Sequence, residues 1–385
     1  MQNQTDIVSV GVYDKKIDLF ESLYPVPDGM TYNSYVILDD CIAVMDTVDG
    51  VFTDEWLTNV QKALGDKQPK YLIIQHMEPD HSASMLAFLR AYPSVEILAT
   101  QKAFVMMKNF FGEQFSAKER VLKDGETLVL GKHTLTFISA PMVHWPEVMM
   151  TYEHTTQTLF SADAFGAFGR ASGENWACEA RRYYFGIVGK YGVQVQNVLK
   201  KLAHFPISVI CPLHGVVLKK EVKNALRLYD IWSRYEAEDS GVVICYTSVY
   251  GNTKRAVELL RNRLKELGMR ATAFDLARTD IFEAVEDAFR YDTLVLATTT
   301  YNGEAFPFMR TFIHALVERK FRNRTVAFIE NGSWSPMATR VMKDMLSACQ
   351  NLRFAQTQVR LLSALTQENE QQISALAEEL SKNKE

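Results

Sequence analysis

"YLIIQHMEPDHSASMLAFLRAY", residues 71–92, joins an apolar run, a six-residue polar cluster and a helix-like pattern. The run at 71–74 reads as a strand and the stretch from Ser82 as a helix. The cluster between them, "HMEPDH", packs two histidines and two carboxylates into residues 76–81. In an extended segment residues i and i+2 face the same way, so His76 and Glu78 address one point. Pro79 then turns the chain, and Asp80 and His81 address a second. A polar loop alone would have the same composition, so the reading is decided by the rest of the chain.

Three further ligand-type residues also end strand-like runs: His144 after "LTFISAPMV", Asp163 after "TLFSA" and His214 after "ISVICPL". Strand ends on one edge of a sheet converge in space. His144 and His214 would complete the two positions and Asp163 would bridge them. A single carboxylate spans the roughly 3.5–4 Å that separates the ions of a paired-metal site. The other histidines receive ordinary roles. His204 and His314 belong to helix or loop chemistry, and His133, at a hairpin turn, and His154, in "YEHTTQ", are expected to face solvent. Trp145 and Tyr191 are read either as neighbours of the metal site or as packing residues.

The chain changes rhythm near residue 240. Before it, "SYVILDDCIAVMDT" and "TLVLGKHTLTFISAP" read as hairpins with helical stretches between them, an α/β or α+β layered domain. After it, five strand–helix units follow, from "GVVICYTS" to "ENEQQISALAEELSK", which predicts an open, doubly wound parallel sheet. The expected domains are 1–238 and 241–385, with the boundary in the polar stretch "SRYEAEDSG".

Three loops of the second half sit where this topology places a ligand. "TSVYGNTKRA" follows the first strand and opens a helix. Its Thr247, Ser248 and Thr253 hydroxyls and the amides around Tyr250, Gly251 and Asn252 can wrap a phosphate at a helix N-terminus. It is neither a Walker loop nor GxGxxG, and a monophosphate held this way suits FMN better than a dinucleotide. "TTTYNGEAFP" offers Thr298, Thr299, Thr300, Tyr301, Asn302 and Gly303, and "ENGSWSP" offers Asn331, Gly332, Ser333 and Trp334. Tyr301 and Trp334 can cover a planar ring.

At 385 residues the chain exceeds one ordinary hydrophobic core. A net charge of −4 gives no electrostatic reason to expect nucleic acid or an anionic membrane as partner. No apolar run has the length of a membrane span, and no secretory signal is visible. Five scattered cysteines without a CxxC pair argue against a disulfide scaffold and against a thiolate-held iron centre, and fit a reducing cytoplasm.

"HMEPDH", the 62 residues to His144 in "HWPE", the 18 residues to Asp163 in "SADAFG" and His214 in "PLHG" together resemble the flavodiiron proteins, or A-type flavoproteins. The resemblance covers nearly the whole chain. It implies an N-terminal metallo-β-lactamase-like αββα sandwich and a C-terminal flavodoxin-like domain, with two iron ions held by His76, Glu78, Asp80, His81, His144, Asp163 and His214. Hydrolases of the same fold usually carry histidine where this chain has Glu78. A mixed histidine and carboxylate set suits iron that cycles between Fe(II) and Fe(III), which argues against a fused metallo-hydrolase. The three loops likewise resemble a flavodoxin, with Thr299 standing where many relatives have proline. The implied activity is reduction of O2 to water, of NO to N2O, or of both. Two ferrous ions and FMNH2 together hold the four electrons that O2 requires. The implied partners are an external electron donor, such as rubredoxin or a flavin reductase, and a second copy in a head-to-tail homodimer or a dimer of dimers.

Overall fold

The structure, a computed structural model, describes residues 6–112 and 115–382 and divides into two compact units, 1–230 and 231–385. In the first unit a six-stranded sheet runs in the order Ile7–Ser9, Tyr35–Ile37, Ala43–Met45, Tyr71–Ile73, Glu96–Ala99, Lys118–Val121. A five-stranded sheet runs Thr127–Val129, Thr134–Ser139, Met149–Glu153, Thr158–Phe160, Val209–Cys211. Tyr35, Met45, Ile73 and Leu98 from the first meet Leu135, Phe137, Met149 and Phe160 from the second in one buried cluster. The two sheets are therefore packed face to face. The central strands are buried on both faces because helices such as Thr53–Leu64, which buries Trp56, Val60 and Leu64, cover the outer sides. This is the αββα sandwich.

Both expected hairpins form: Tyr35–Ile37 pairs antiparallel with Ala43–Met45, and Thr127–Val129 with Thr134–Ser139. One local expectation fails. His133 is not solvent-facing but 1% exposed, because its Nδ1 lies 2.9 Å from Oε1 of buried Glu153 and its N–H donates to Asp39. His154 does stay exposed.

In the second unit the order is Ala271–Asp275, Asp239–Tyr246, Tyr291–Tyr301, Thr325–Asn331, then Arg353–Phe354 and Val359–Leu361, all parallel. Helices Asn252–Glu266 and Gln367–Lys382 bury Leu260, Leu264, Ile373 and Leu376 on one face of it. The strand order reverses beside Asp239–Tyr246, and a ligand crevice opens at the carboxyl end of such a strand. The division between units falls inside helix Val222–Ser233, not in the polar stretch after it. Residues of that stretch belong to the second unit, where buried Arg324 donates to the carbonyls of Tyr235 and Glu236. Composition alone marks a polar stretch; it does not show that its carbonyls are tied down.

Candidate metal centre and flavin site

The seven ligand-type residues converge. His76, Glu78, His144 and Asp163 form one group and Asp80, His81 and His214 a second, and within each group one ligand atom per residue lies within 4.8 Å of the others. His76 and Glu78 stand on the extended segment after strand Tyr71–Ile73, while Pro79 is the first residue of a one-turn helix, Pro79–Ser82, that redirects Asp80 and His81. His144, Asp163 and His214 follow strands Thr134–Ser139, Thr158–Phe160 and Val209–Cys211. The backbone around Asp163 is strained: Ala162 and Phe165 have φ of 50° and 64°, values that side-chain-bearing residues adopt at a cost usually met at functional sites. Gly166 is required there, since a Cβ would stand 2.9 Å from the Asp163 carbonyl oxygen and 3.2 Å from the Tyr183 ring.

In the first group His76 Nε2 is 3.1 Å from Glu78 Oε2, and His144 Nε2 is 3.1 Å from Glu78 Oε2 and 3.0 Å from Asp163 Oδ2. In the second, Asp80 Oδ2 is 3.3 Å from both His81 Nε2 and His214 Nε2, which are 3.0 Å apart. The other Asp163 oxygen, Oδ1, faces this group, 3.4 Å from His81 Nε2. One carboxylate thus presents one oxygen to each position.

The tautomers are set from behind. His214 Nδ1 donates to the Thr31 carbonyl at 2.7 Å, and His76 Nδ1 lies 2.8 Å from Glu147 Oε1, which also accepts the Met77 N–H. Each leaves an Nε2 lone pair aimed at the cluster. Both oxygens of Asp80 and Oδ1 of Asp163 are buried without a hydrogen-bond partner among the described residues. Buried carboxylates in that condition need a cation. The donor set of nitrogens and carboxylate oxygens fits iron.

Electrostatics agree. Burial alone would lower the His76 pKa, but the Asp163 charge and the hydrogen bonds to Glu147 and Glu78 raise it well above the ordinary value. His144, opposed by burial but hydrogen-bonded to Asp163 and Glu78, is raised to about 9. Burial works to raise Glu78 and Asp163, yet the surrounding histidines hold both below the usual carboxylate range. These are carboxylates looking for positive charge, which protons supply when metal does not.

Sequence reading missed four neighbours. Glu147 backs His76. Tyr183 is buried with its ring 5.6 Å from His214, and Phe20 has its ring 5.2 Å from His214. Glu21 lies next to Phe20 on a hairpin tip. As a residue it stays exposed, but desolvation of its carboxyl end, with the Glu78 charge beside it, pushes its pKa up to about 7. "HWPE" signals Glu147 in retrospect; nothing in the sequence marks the others. Trp145 does lie beside the site, its ring 5.2 Å from His76. Tyr191 lies in the short helix Gly189–Tyr191.

In the second unit a cavity of ≈ 550 Å³ opens at the strand ends. It is lined by Ser248, Tyr250, Asn252 and Thr253 from the first loop, by residues 299–303 from the second and by Asn331, Gly332, Ser333 and Trp334 from the third. Thr247 and Thr298 are buried with their hydroxyls 2.6 Å apart, and Gly251, at φ 87°, caps helix Asn252–Glu266. None of these three lines the cavity, which Val249, Ser335, Met337 and Ser363 complete instead. Buried Thr253 stands at the N-terminus of helix Asn252–Glu266, where a phosphate would be held, and exposed Tyr250 and Trp334 (90% and 83%) could cover a flat ring. A narrow phosphate cradle, a cavity of this size and aromatic walls fit FMN.

Residues 30–215 match the "ODP family beta lactamase" model and residues 243–363 the "Flavodoxin domain" model. The chain belongs to the flavodiiron family. Among its relatives a nitric oxide reductase of Moorella thermoacetica is 26% identical over 350 residues, 88% of this chain and 87% of that protein. A flavo di-iron protein variant from Thermotoga maritima is 25% identical with a TM-score of 0.88, covering 98% of this chain and 96% of that one. Rubredoxin:oxygen oxidoreductase from Desulfovibrio gigas shares the fold at a TM-score of 0.91 and 24% identity, over 100% of this chain and 98% of that one. Flavodiiron proteins pair an iron site with FMN, and this chain is an FMN- and iron-dependent oxidoreductase. No helix among the described residues is long and apolar enough to cross a membrane.

Proposed function

We propose that the chain reduces O2 to water, NO to N2O, or both, with His76, Glu78, Asp80, His81, His144, Asp163 and His214 holding two iron ions. The observation that carries this is the shared Asp163 carboxylate between two groups of ligands in which carboxylates balance imidazoles. When bound, the iron pair supplies reversible one-electron chemistry at adjacent ions, and FMN supplies two further electrons. The protein's own residues do the rest. Asp163, with one oxygen toward each group, would set the spacing of the pair. Glu78 brings a negative charge that favours the ferric state over Lewis-acid hydrolysis. Phe20 and Tyr183 wall the cluster on the His214 side, and water-poor surroundings strengthen every charge interaction inside.

The same reading includes a cytoplasmic protein and a separate rubredoxin-type or flavin-reductase donor. It also includes a head-to-tail homodimer that carries the flavin of one copy to the irons of the other. The exposure of Tyr250, Trp334, Tyr301 and Leu362 around the flavin cavity supports a covering partner.

The test is metal analysis with activity. Purified protein should carry two irons and one FMN per chain, and Asp163→Ala or His144→Ala should lose iron along with gas consumption. Unchanged iron content in both variants contradicts the ligand assignment. Zinc as the native metal, with ester or lactam turnover, would favour a hydrolase.

A further inference from the structure

The two metal positions are backed differently. Behind His76 stands a carboxylate: Glu147 is 2% exposed, its Oε1 accepts hydrogen bonds from His76 Nδ1 at 2.8 Å and the Met77 N–H at 2.9 Å, and its Oε2 is buried without a hydrogen-bond partner among the described residues. Its one ion pair among the described residues is with His76; no lysine or arginine shares its charge. Its main chain is anchored as well, since the Thr100 hydroxyl donates to the Glu147 carbonyl at 3.0 Å. Behind His214 stands only the neutral Thr31 carbonyl. Behind His81, Nδ1 has no hydrogen-bond partner among the described residues. The first position therefore feels Glu78, its share of Asp163 and, through an imidazole, Glu147. The second feels Asp80, its share of Asp163 and, at longer range and without a hydrogen bond to a ligating imidazole, buried Asp46 near His81. A carboxylate behind a ligating imidazole raises the basicity of its other nitrogen, and losing such a partner typically costs on the order of 10–100-fold in metal affinity.

We infer that Glu147 is a positioning residue that makes the two sites unequal, so that the His76–Glu78–His144 position binds metal first and is oxidised first, while the Asp80–His81–His214 position is the more weakly held and the last to leave the ferrous state. The inference rests on the two-iron reading of the site. A buried, uncompensated carboxylate stabilises the higher charge of a ferric ion on the far side of the ring it holds, and a neutral carbonyl does so less.

Three measurements test it. First, metal-free wild-type chain is titrated with zinc and the ring nitrogens of its histidines are followed by ¹⁵N NMR. The first equivalent should move His76 and His144, and the second His81 and His214. Second, the same titration on Glu147→Gln, which keeps the hydrogen-bond geometry and removes the charge, should weaken the first step by about 10–100-fold and leave the second nearly unchanged. Glu147→Asp should recover part of the loss. Third, iron-loaded, fully reduced protein is oxidised stepwise under argon with EPR detection. Glu147→Gln should raise the potential of the first oxidation more than the second, shrinking the range in which the half-oxidised form accumulates. Equal movement of all four histidines at the first zinc equivalent, or equal shifts of both steps in Glu147→Gln, would overturn the proposal. A chain that binds zinc in two ordered steps yet consumes neither gas when iron-loaded would retain this inference and lose the proposed function.

Discussion

At the scale of single residues, the proposed function gives Glu78 the role of separating this chain from zinc hydrolases of the same fold. Glu78→His should shift the metal recovered from mixed-metal growth toward zinc and cut gas consumption by at least about tenfold; unchanged iron content and activity would remove Glu78 from that role. The protonation of the cluster gives a second expectation. In metal-free chain the His144 pKa is raised to about 9 by Asp163 and Glu78 against the effect of burial. A raised histidine pKa contributes stability that is complete below its unfolded value, near 6.5, and lost as pH rises through about 9. Glu78 and Asp163, held low, contribute in the opposite sense, above the usual carboxylate range and lost in acid. Thermal unfolding of chelator-treated protein should therefore show falling stability from pH 6.5 to 9, and iron-loaded protein should not, because metal has replaced the protons. A flat profile for metal-free protein would contradict the charge balance described for the site. The convergence of the seven ligand-type residues was legible in the sequence because each of the four segments that carry them follows an apolar run. Glu21, Phe20 and Tyr183 were not, and Glu147 only in retrospect from "HWPE", because an ordinary carboxylate or aromatic acquires its role only from what the fold sets beside it.

At the scale of elements, two tight turns behave differently. Asn302–Gly303 closes the hairpin between Tyr301 and Glu304 with φ of 52° and 76°, and the Asn-Gly pair is what such a turn favours. Glu21–Ser22 adopts the same left-handed pair of conformations, φ 49° and 55°, closed by the Leu23 N–H to the Phe20 carbonyl, with residues that do not favour it. That tip carries the Glu21 carboxyl to Glu78, so the strain sits where the site gains a neighbour. Ser22→Gly should stabilise the chain by about 0.5–1 kcal/mol in chemical denaturation without loss of bound iron; destabilisation would mean that the Ser22 side chain carries contacts of its own. Gly251, at φ 87°, is the converse case, and Gly251→Ala should destabilise by about 1–2 kcal/mol and weaken FMN retention on dialysis. The hairpins and the strand–helix rhythm could be read from period and turn residues. The Pro79–Ser82 helix appeared in the sequence only as a turn, since four residues carry no period.

At the scale of the whole molecule, the two-unit plan and the parallel sheet were legible from the change of rhythm, but the strand order was not, because more than one order shares the doubly wound pattern. The exact division was not, because it runs through a helix whose amphipathic pattern is continuous across it. If the flavin of one copy serves the irons of another, turnover should depend on dimer concentration. Diluting the protein through its dissociation range, followed by analytical ultracentrifugation and gas uptake, should show activity falling with the dimer fraction. A fully active monomer would contradict this.

The most direct test is a single-turnover gas measurement. Protein with two irons and one FMN per chain is reduced anaerobically, freed of reductant, and mixed with O2 and with NO in parallel. The account predicts stoichiometric loss of at least one gas: about one O2 per chain without hydrogen peroxide, or two NO per N2O formed. Consumption of neither gas by fully loaded, fully reduced protein would contradict it.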